Sequence, residues 1–444
     1  MSGKYRLSFI ISTTVFFISF VLFAYTDLRS LTVWTLNIWD SMASSGGIRS
    51  FYEYSAQNLY HLDHGMVGSD ILIYLPWAVW NLPIWILQHF FHLDAVDHFW
   101  MLLYSKLFLL VVFLLILFLA KRIAVLLHPG QEETRRMLFL SSTSFFTLTS
   151  LAYNGQNDVV VIAPFLAAVD ALLRGKKQRF VLFVSLSVAL KPFFLFSYVA
   201  LILLYEKDLL KDILYLGGGC AVLLLQKLLL KGMPMYTESI QYGPTEGIFD
   251  LLLQARLDLP PAGVSLFILG FGVILLMAYF HDSAVLEKES VLYYATAPLI
   301  VFFLFTRYDV YRPFYLVPLL YLLMLTKPVY HRINLLLEIT STGALMLYYL
   351  LDDELFYHPG YLLISRPDRP STPICLWLSD KIPGYGFPIF TAVFVLAMLL
   401  LLVINHPKFH SQNKVLQREE EAWLLPARSI LYGIPLCISL LLSR

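Results

Sequence analysis

Charge is the scarcest commodity in this chain. Only 14% of its 444 residues are Asp, Glu, Lys or Arg, where a soluble globular protein carries about 25%. That deficit excludes an ordinary water-soluble domain. A net charge of +1 also removes the basic stripe on which nucleic-acid binding rests. Cysteine is sparse too: Cys220, Cys375 and Cys437 stand far apart, so no zinc or redox spacing exists. The chain has no glycine-rich loop followed by Lys-Ser/Thr. The "GGG" at 217–219 lies inside an apolar run without such a sequel, which reads as close helix packing and not as a nucleotide cradle. No soluble domain, low-complexity segment or tandem repeat interrupts the sequence.

What is present is apolar: 58% hydrophobic, 16% aromatic, with a mean hydropathy of +0.69. A membrane span needs about 20 apolar residues. Such runs lie near 7–25, 100–120, 137–153, 159–173, 180–205, 212–230, 263–280, 290–306, 313–326, 333–351, 387–405 and 429–442. The expectation is an all-α, polytopic membrane protein of about 12–13 transmembrane helices, with 1–444 as one integral membrane domain. The first run follows Lys4 and Arg6 but is long for a signal peptide and lacks a small-x-small cleavage site, so it reads as a retained span.

Lys and Arg set the orientation. The segment 71–91, with Trp77, Trp80, Trp85, Pro76 and Pro83, reads as a helix lying in the membrane interface. On that reading the basic stretches at 120–122, 128–136 and 174–179 all face the cytoplasm, as positive charge does. The outer face then carries a long loop, 26–99, and the turns "NGQND" (154–158) and "RYDVYR" (307–312). This count requires 180–205 to act as two pieces broken at Lys191-Pro192. Proline loses a helix hydrogen bond and clashes with the preceding turn, and broken helices at membrane depth are tolerated where they line a cavity.

Several polar residues fall on that outer side. Asp27 reads either as a wet helix end or as a general base for an acceptor hydroxyl, with Asp40 as the fallback base. If 27–42 is one helix, Asp27 and Trp34 share a face, because seven residues make about two turns. His61, Asp63 and His64 form a polar loop or a weak divalent-metal candidate; no metal is expected. Asp70 directly precedes the interfacial helix. Gln156, Asn157 and Asp158 open a helix after an Asn-Gly turn, where the dipole favours the aspartate. Lys191 at membrane depth is costly and calls for an anion, either a lipid phosphate or a carboxylate. Lys106 lies in the first turns of its helix and can snorkel. Arg307 and Arg312 flank a short turn and either snorkel or take phosphate bidentately.

In this order the residues resemble polytopic glycosyltransferases of the GT-C superfamily, in the branch that uses polyprenyl-phosphate sugars. "DLRSLTVW" resembles the D-x-x-x-(F)-x-x-W opening of the first outer loop, with Leu31 in the aromatic slot. Phe51-Tyr52 matches a following "FY" pair, and Asp70 an acidic residue before an interfacial helix. "NGQND" resembles W-G-Q-x-D, with Asn154 in place of tryptophan. Lys191-Pro192 matches a lysine-proline helix break. "VYRPFYLVP" resembles H-E-R-Y-x-x-P, with Val310-Tyr311 in place of His-Glu. The resemblance covers residues 7–320 as a catalytic core, leaving 321–444 as variable C-terminal transmembrane helices.

The resemblance implies an inverting hexosyl transfer, of mannose or glucose type, from a polyprenyl-phosphate sugar to a lipid-linked glycan or cell-surface polymer. Asp27 would be the base and Asp70 a second acceptor-side carboxylate. Lys191, Arg312 and Arg307 would hold the donor phosphate, and Gln156, Asn157, Asp158, Trp34 and Tyr52 would contact sugar or acceptor. No cofactor is required. The partners are the bilayer, the lipid-linked donor and a glycan acceptor. The setting is the extracytoplasmic face of a bacterial plasma membrane, serving cell-envelope polysaccharide synthesis. The alternative expectation is a transporter or flippase of a lipid-linked saccharide. That class also uses broken helices, but often shows internal repeats.

Overall fold

The computed structural model describes residues 3–57, 67–93, 98–241, 248–258, 263–281, 287–306, 308–351, 359–361, 380–382, 386–408 and 423–442. Among these the chain is almost wholly helical. The first part holds α1 (Gly3–Leu22), α2 (Thr26–Ala43), α3 (Phe51–Gln57), α4 (Leu75–Phe91), α5 (Phe99–Leu126) and α6 (Gln131–Ser142). The middle holds α7 (Phe145–Thr147), α8 (Val159–Leu173), α9 (Lys177–Leu190), α10 (Phe194–Tyr205), α11 (Leu209–Leu230), α12 (Tyr236–Gln241) and α13 (Ile248–Leu252). The last part holds α14 (Leu266–Tyr279), α15 (Lys288–Phe305), α16 (Val317–Leu325), α17 (His331–Leu351), α18 (Gly386–Ile404) and α19 (Leu424–Leu442). The extended strands that are described are short: Phe23–Tyr25 pairs antiparallel with Pro359–Tyr361, and Arg256–Leu257 with Val264–Ser265.

Five helical segments among the described residues are long and apolar enough to cross a membrane: α5, α11, α15, α18, and α17 with the turn before it. Apolar but shorter helices occur in α1, α8, α10, α14, α19 and at 312–325. The outward face of α11 carries exposed Leu209, Leu210, Leu224, Leu225 and Leu228, a surface that suits lipid and not water. This fits a multi-pass integral membrane protein.

The helices run between two ends of the bundle. Ser187 Oγ donates to the Val161 carbonyl, and Lys191 meets Asp158, so α8 and α9 are antiparallel. At the far end of α9, Lys177 Nζ reaches Glu206 at 3.8 Å and lies 4.8 Å from the Tyr205 ring. So α10 turns back along α9. The run 180–205 is therefore two short helices forming a hairpin whose tip is Lys191-Pro192, the break expected from the sequence. Arg122 and Arg174 share Asp170, and Lys327 pairs with Glu289 at the opposite end from that tip.

The apolar run 137–153 also breaks, which its hydropathy does not announce. α6 stops at Ser142, and the chain resumes as α7 and then a wide π-type turn, Leu148–Asn154. The polar run 141–144 weakens the helix at that point. Ser141 donates to Met137 O, and Ser142 and Thr143 to Phe139 O, and such side-chain bonds compete with the helix. The "GGG" packs as expected: a Cβ at Gly219 would collide with the Tyr198 ring and one at Gly218 would crowd Val181, whereas Gly217 faces open space.

Candidate functional site

Asp27 sits in the first turn of α2, where a helix N-terminus favours a carboxylate. The π-type turn approaches it from across the bundle. That turn ends at Gly155 with φ +67°, a left-handed conformation that glycine adopts without steric cost. The reversal delivers Gln156, whose Nε2 donates to Asp27 Oδ2 at 2.5 Å. An amide donor at that distance orients the carboxylate and leaves it an acceptor.

Lys106 supports both segments from below, and here the structure corrects the sequence reading. It does not snorkel; it is fully buried. Its ammonium donates to the carbonyls of Phe20 (2.8 Å), Phe23 (2.5 Å) and Ala152 (2.6 Å). All three of its protons are used, and they join the end of α1 to the π-type turn, four residues before Asp27 and four before Gln156. Lys106 lies in the membrane-facing run, but inside the bundle, and carbonyls freed by the irregular backbone receive it.

Asp158 opens α8 but makes no side-chain cap. It forms an ion pair with Lys191 at the tip of the α9–α10 hairpin. Helices of 15 and 14 residues bring the start of one beside the end of the other. Of the two anions open to Lys191, the fold supplies the carboxylate. Asp158 Oδ2 and Arg312 Nε are buried and find no hydrogen-bond partner among the described residues. The hairpin tip rests on the short 3₁₀ turn Arg312–Leu316: Phe193 and Phe194 meet the Tyr315 ring at 5.5 and 5.6 Å. Lys191 consequently lies within electrostatic reach of Arg312, Asp27 and Asp309. Arg312 Nη2 pairs with Asp309 at 2.8 Å. Four segments distant in sequence thus converge: Asp27, the Gln156–Asp158 turn, Lys191 and Arg312. Asn157 is buried in the same turn.

Other expected residues lie apart. Asp40 is thirteen positions on along α2, about 20 Å at the helix rise. Its Oδ1 accepts from Trp85 Nε1 at 2.6 Å, and burial pushes its carboxyl above the usual range, with the Trp85 bond opposing. Asp70 is held by Lys227 at 2.9 Å and by the Tyr236 hydroxyl at 2.8 Å. Tyr52 is enclosed, donating to the Ser69 carbonyl at 3.3 Å and stacked edge-on against Tyr236. Trp34 is half-buried and packs edge-on against Tyr74 at 5.8 Å, with its indole N–H unpartnered among the described residues. Tyr74 lies within electrostatic reach of both Asp27 and Asp70. Arg307, His61, Asp63 and His64 lie outside the described residues. Among those described, no group of three or more His, Cys, Asp or Glu is placed to hold a metal.

Chemically the convergence offers an oriented carboxylate, two cations and two counter-ions. Each cation is paired with a carboxylate, and Asp27 beside them is placed to accept a proton.

Comparison with protein-family models, with curated proteins and with solved structures gives no match. The sequence missed two participants, Lys106 as a structural tie and Asp309 as the partner of Arg312. Asp309 carries a signal in hindsight, an acid three residues before an arginine in a tight turn.

Proposed function

We propose that this chain is a membrane glycosyltransferase of the GT-C type. In this reading it moves a hexose from a polyprenyl-phosphate sugar to a lipid-linked glycan or cell-surface polymer, with inversion. The observation that carries the reading is the convergence of oriented Asp27 with Lys191 and Arg312 in one corner of a helical membrane bundle. Asp27 takes the proton of an acceptor hydroxyl as that oxygen attacks the anomeric carbon. The bond from that carbon to the phosphate oxygen breaks, and its electron pair leaves on the polyprenyl phosphate. Lys191 and Arg312 stabilise the charge that develops there. Gln156 orients the base.

Two further features support the reading. Arg122, Arg174, Lys177 and Lys327 gather at the end away from Asp27, the asymmetry expected if that end is cytoplasmic and the reaction extracytoplasmic, as at a bacterial plasma membrane. A cavity of about 340 Å³ also borders Tyr308, walled by Phe303, Phe305, Tyr348, Tyr349 and Phe394. It offers an apolar berth for the first isoprene units beside the Arg312 turn.

The test uses purified protein, a synthetic polyprenyl-phosphate hexose and candidate acceptors. Asp27→Asn is expected to fold and to lose transfer by at least about a hundredfold, the scale of a general base. Full activity in that variant removes Asp27 from the role. Saccharide translocation without donor turnover supports the transporter reading instead, which the α9–α10 hairpin ending inside the bundle also suits.

A further inference from the structure

Asp309 is the group that neither the sequence motifs nor the proposed chemistry uses, and its position is specific. Its Oδ2 accepts from Arg312 Nη2 at 2.8 Å and from the Tyr311 hydroxyl at 2.9 Å. Nε and Nη2 of an arginine form one edge that takes the two oxygens of a carboxylate or phosphate side by side. Here Asp309 occupies Nη2 alone, while Nε is buried and has no hydrogen-bond partner among the described residues. The edge is half used.

The surroundings determine which partner gives way. Arg312 is 14% exposed and Asp309 47%. The turn's backbone is tethered on both sides of Asp309: the Tyr349 hydroxyl donates to Tyr308 O at 2.9 Å, and Thr149 Oγ1 to Val310 O at 3.3 Å. The guanidinium is mostly buried, the backbone is tethered, and the carboxylate is half in water. Lys191 feels Arg312, Asp27 and Asp309 together and is paired with Asp158. Two cations therefore face three carboxylates, and an additional anion enters only if a negative charge moves away.

We infer that Asp309 is a displaceable counter-ion: its carboxylate holds the Arg312 anion position, and an incoming phosphate takes that position by swinging Asp309 into solvent. The inference rests on the donor-phosphate reading of Arg312. It makes Asp309 a residue that tunes affinity for phosphate, and one that helps expel the lipid phosphate product by competing for the same guanidinium edge.

The experiment measures binding of a short-chain prenyl phosphate to the full-length purified protein by calorimetry, with inorganic phosphate as the tail-less arm. The variants are Asp309→Asn, Asp309→Glu and Arg312→Gln, each checked for a folded melting transition. Asp309→Asn is expected to bind prenyl phosphate about tenfold more tightly than wild type, a shift of about 1.4 kcal/mol. Asp309→Glu should stay within about threefold of wild type, and Arg312→Gln should weaken binding in either background. A similar gain is expected for inorganic phosphate, and the absolute affinities separate the sources: tighter binding of prenyl phosphate assigns a lipid headgroup, equal affinity a free phosphate. If wild type binds and Arg312→Gln weakens it, but Asp309→Asn binds no more tightly, the counter-ion idea falls and the reading of Arg312 stands. If neither wild type nor Asp309→Asn binds either anion, both fall.

Discussion

At the scale of single residues, the charges near Asp27 divide into those with a fixed partner and those with a replaceable one. Lys106 is the fixed case. Three backbone carbonyls enclose its ammonium, and methionine in its place leaves those acceptors without it. Lys106→Met is expected to cost at least about 3 kcal/mol, since each of the three buried acceptors left unpaired costs roughly 1–3 kcal/mol. The check is the unfolding midpoint in detergent; a midpoint equal to wild type refutes the structural role. Asp27 is the replaceable case. Gln156 orients it at 2.5 Å, and Asp27→Asn keeps that geometry while removing the basicity, so chemistry and folding separate in one variant. The types and order of these residues are visible in the sequence. Their partners are not, because Lys106 and Ala152 are 46 positions apart and Asp27 and Gln156 are 129 apart. No local pattern encodes such a meeting.

At the scale of elements, the apolar runs locate the helices well, because burial in lipid or protein demands them whatever the tertiary detail. The Lys191-Pro192 break is legible for the same local reason, a proline that cannot continue a helix. The break at 143–144 is not, since serine and threonine only weaken a helix and long-range contacts decide the outcome. The contact between α10 and α11 gives a paired prediction. Gly219→Ala drives a methyl into the Tyr198 ring and should destabilise by about 1–3 kcal/mol, the usual cost of overpacking. Gly217→Ala meets open space and should be neutral or stabilise by up to about 1 kcal/mol. Thermal melts of the two variants side by side decide it; equal shifts would falsify the packing account.

At the scale of the whole molecule, one buried network joins the C-terminal helix to the body. Arg428 in α19 pairs with Glu338 in α17 at 3.0 Å and donates to the Tyr321 hydroxyl, the Leu140 carbonyl and Thr143 Oγ1. It thus fills the gap where α6 ends. Both charged side chains are only 1% exposed. Arg428→Met strands a buried carboxylate and should cost about 3–5 kcal/mol, whereas Arg428→Met combined with Glu338→Leu should recover much of that loss. A double variant as unstable as the single one removes the charge argument. The α9–α10 hairpin has a different consequence, for how the protein is made. Its helices of 14 and 12 residues reach about 21 and 18 Å, short of the roughly 30 Å hydrocarbon core. Its tip carries a lysine whose entry alone costs about 2.5–3.5 kcal/mol at mid-bilayer. Asp158 lies 33 positions earlier and leaves the ribosome first. The two charges therefore enter the membrane most easily as one neutral unit, α8 with the hairpin folded against it. Biogenesis of the Lys191 tip then depends on a partner made moments before.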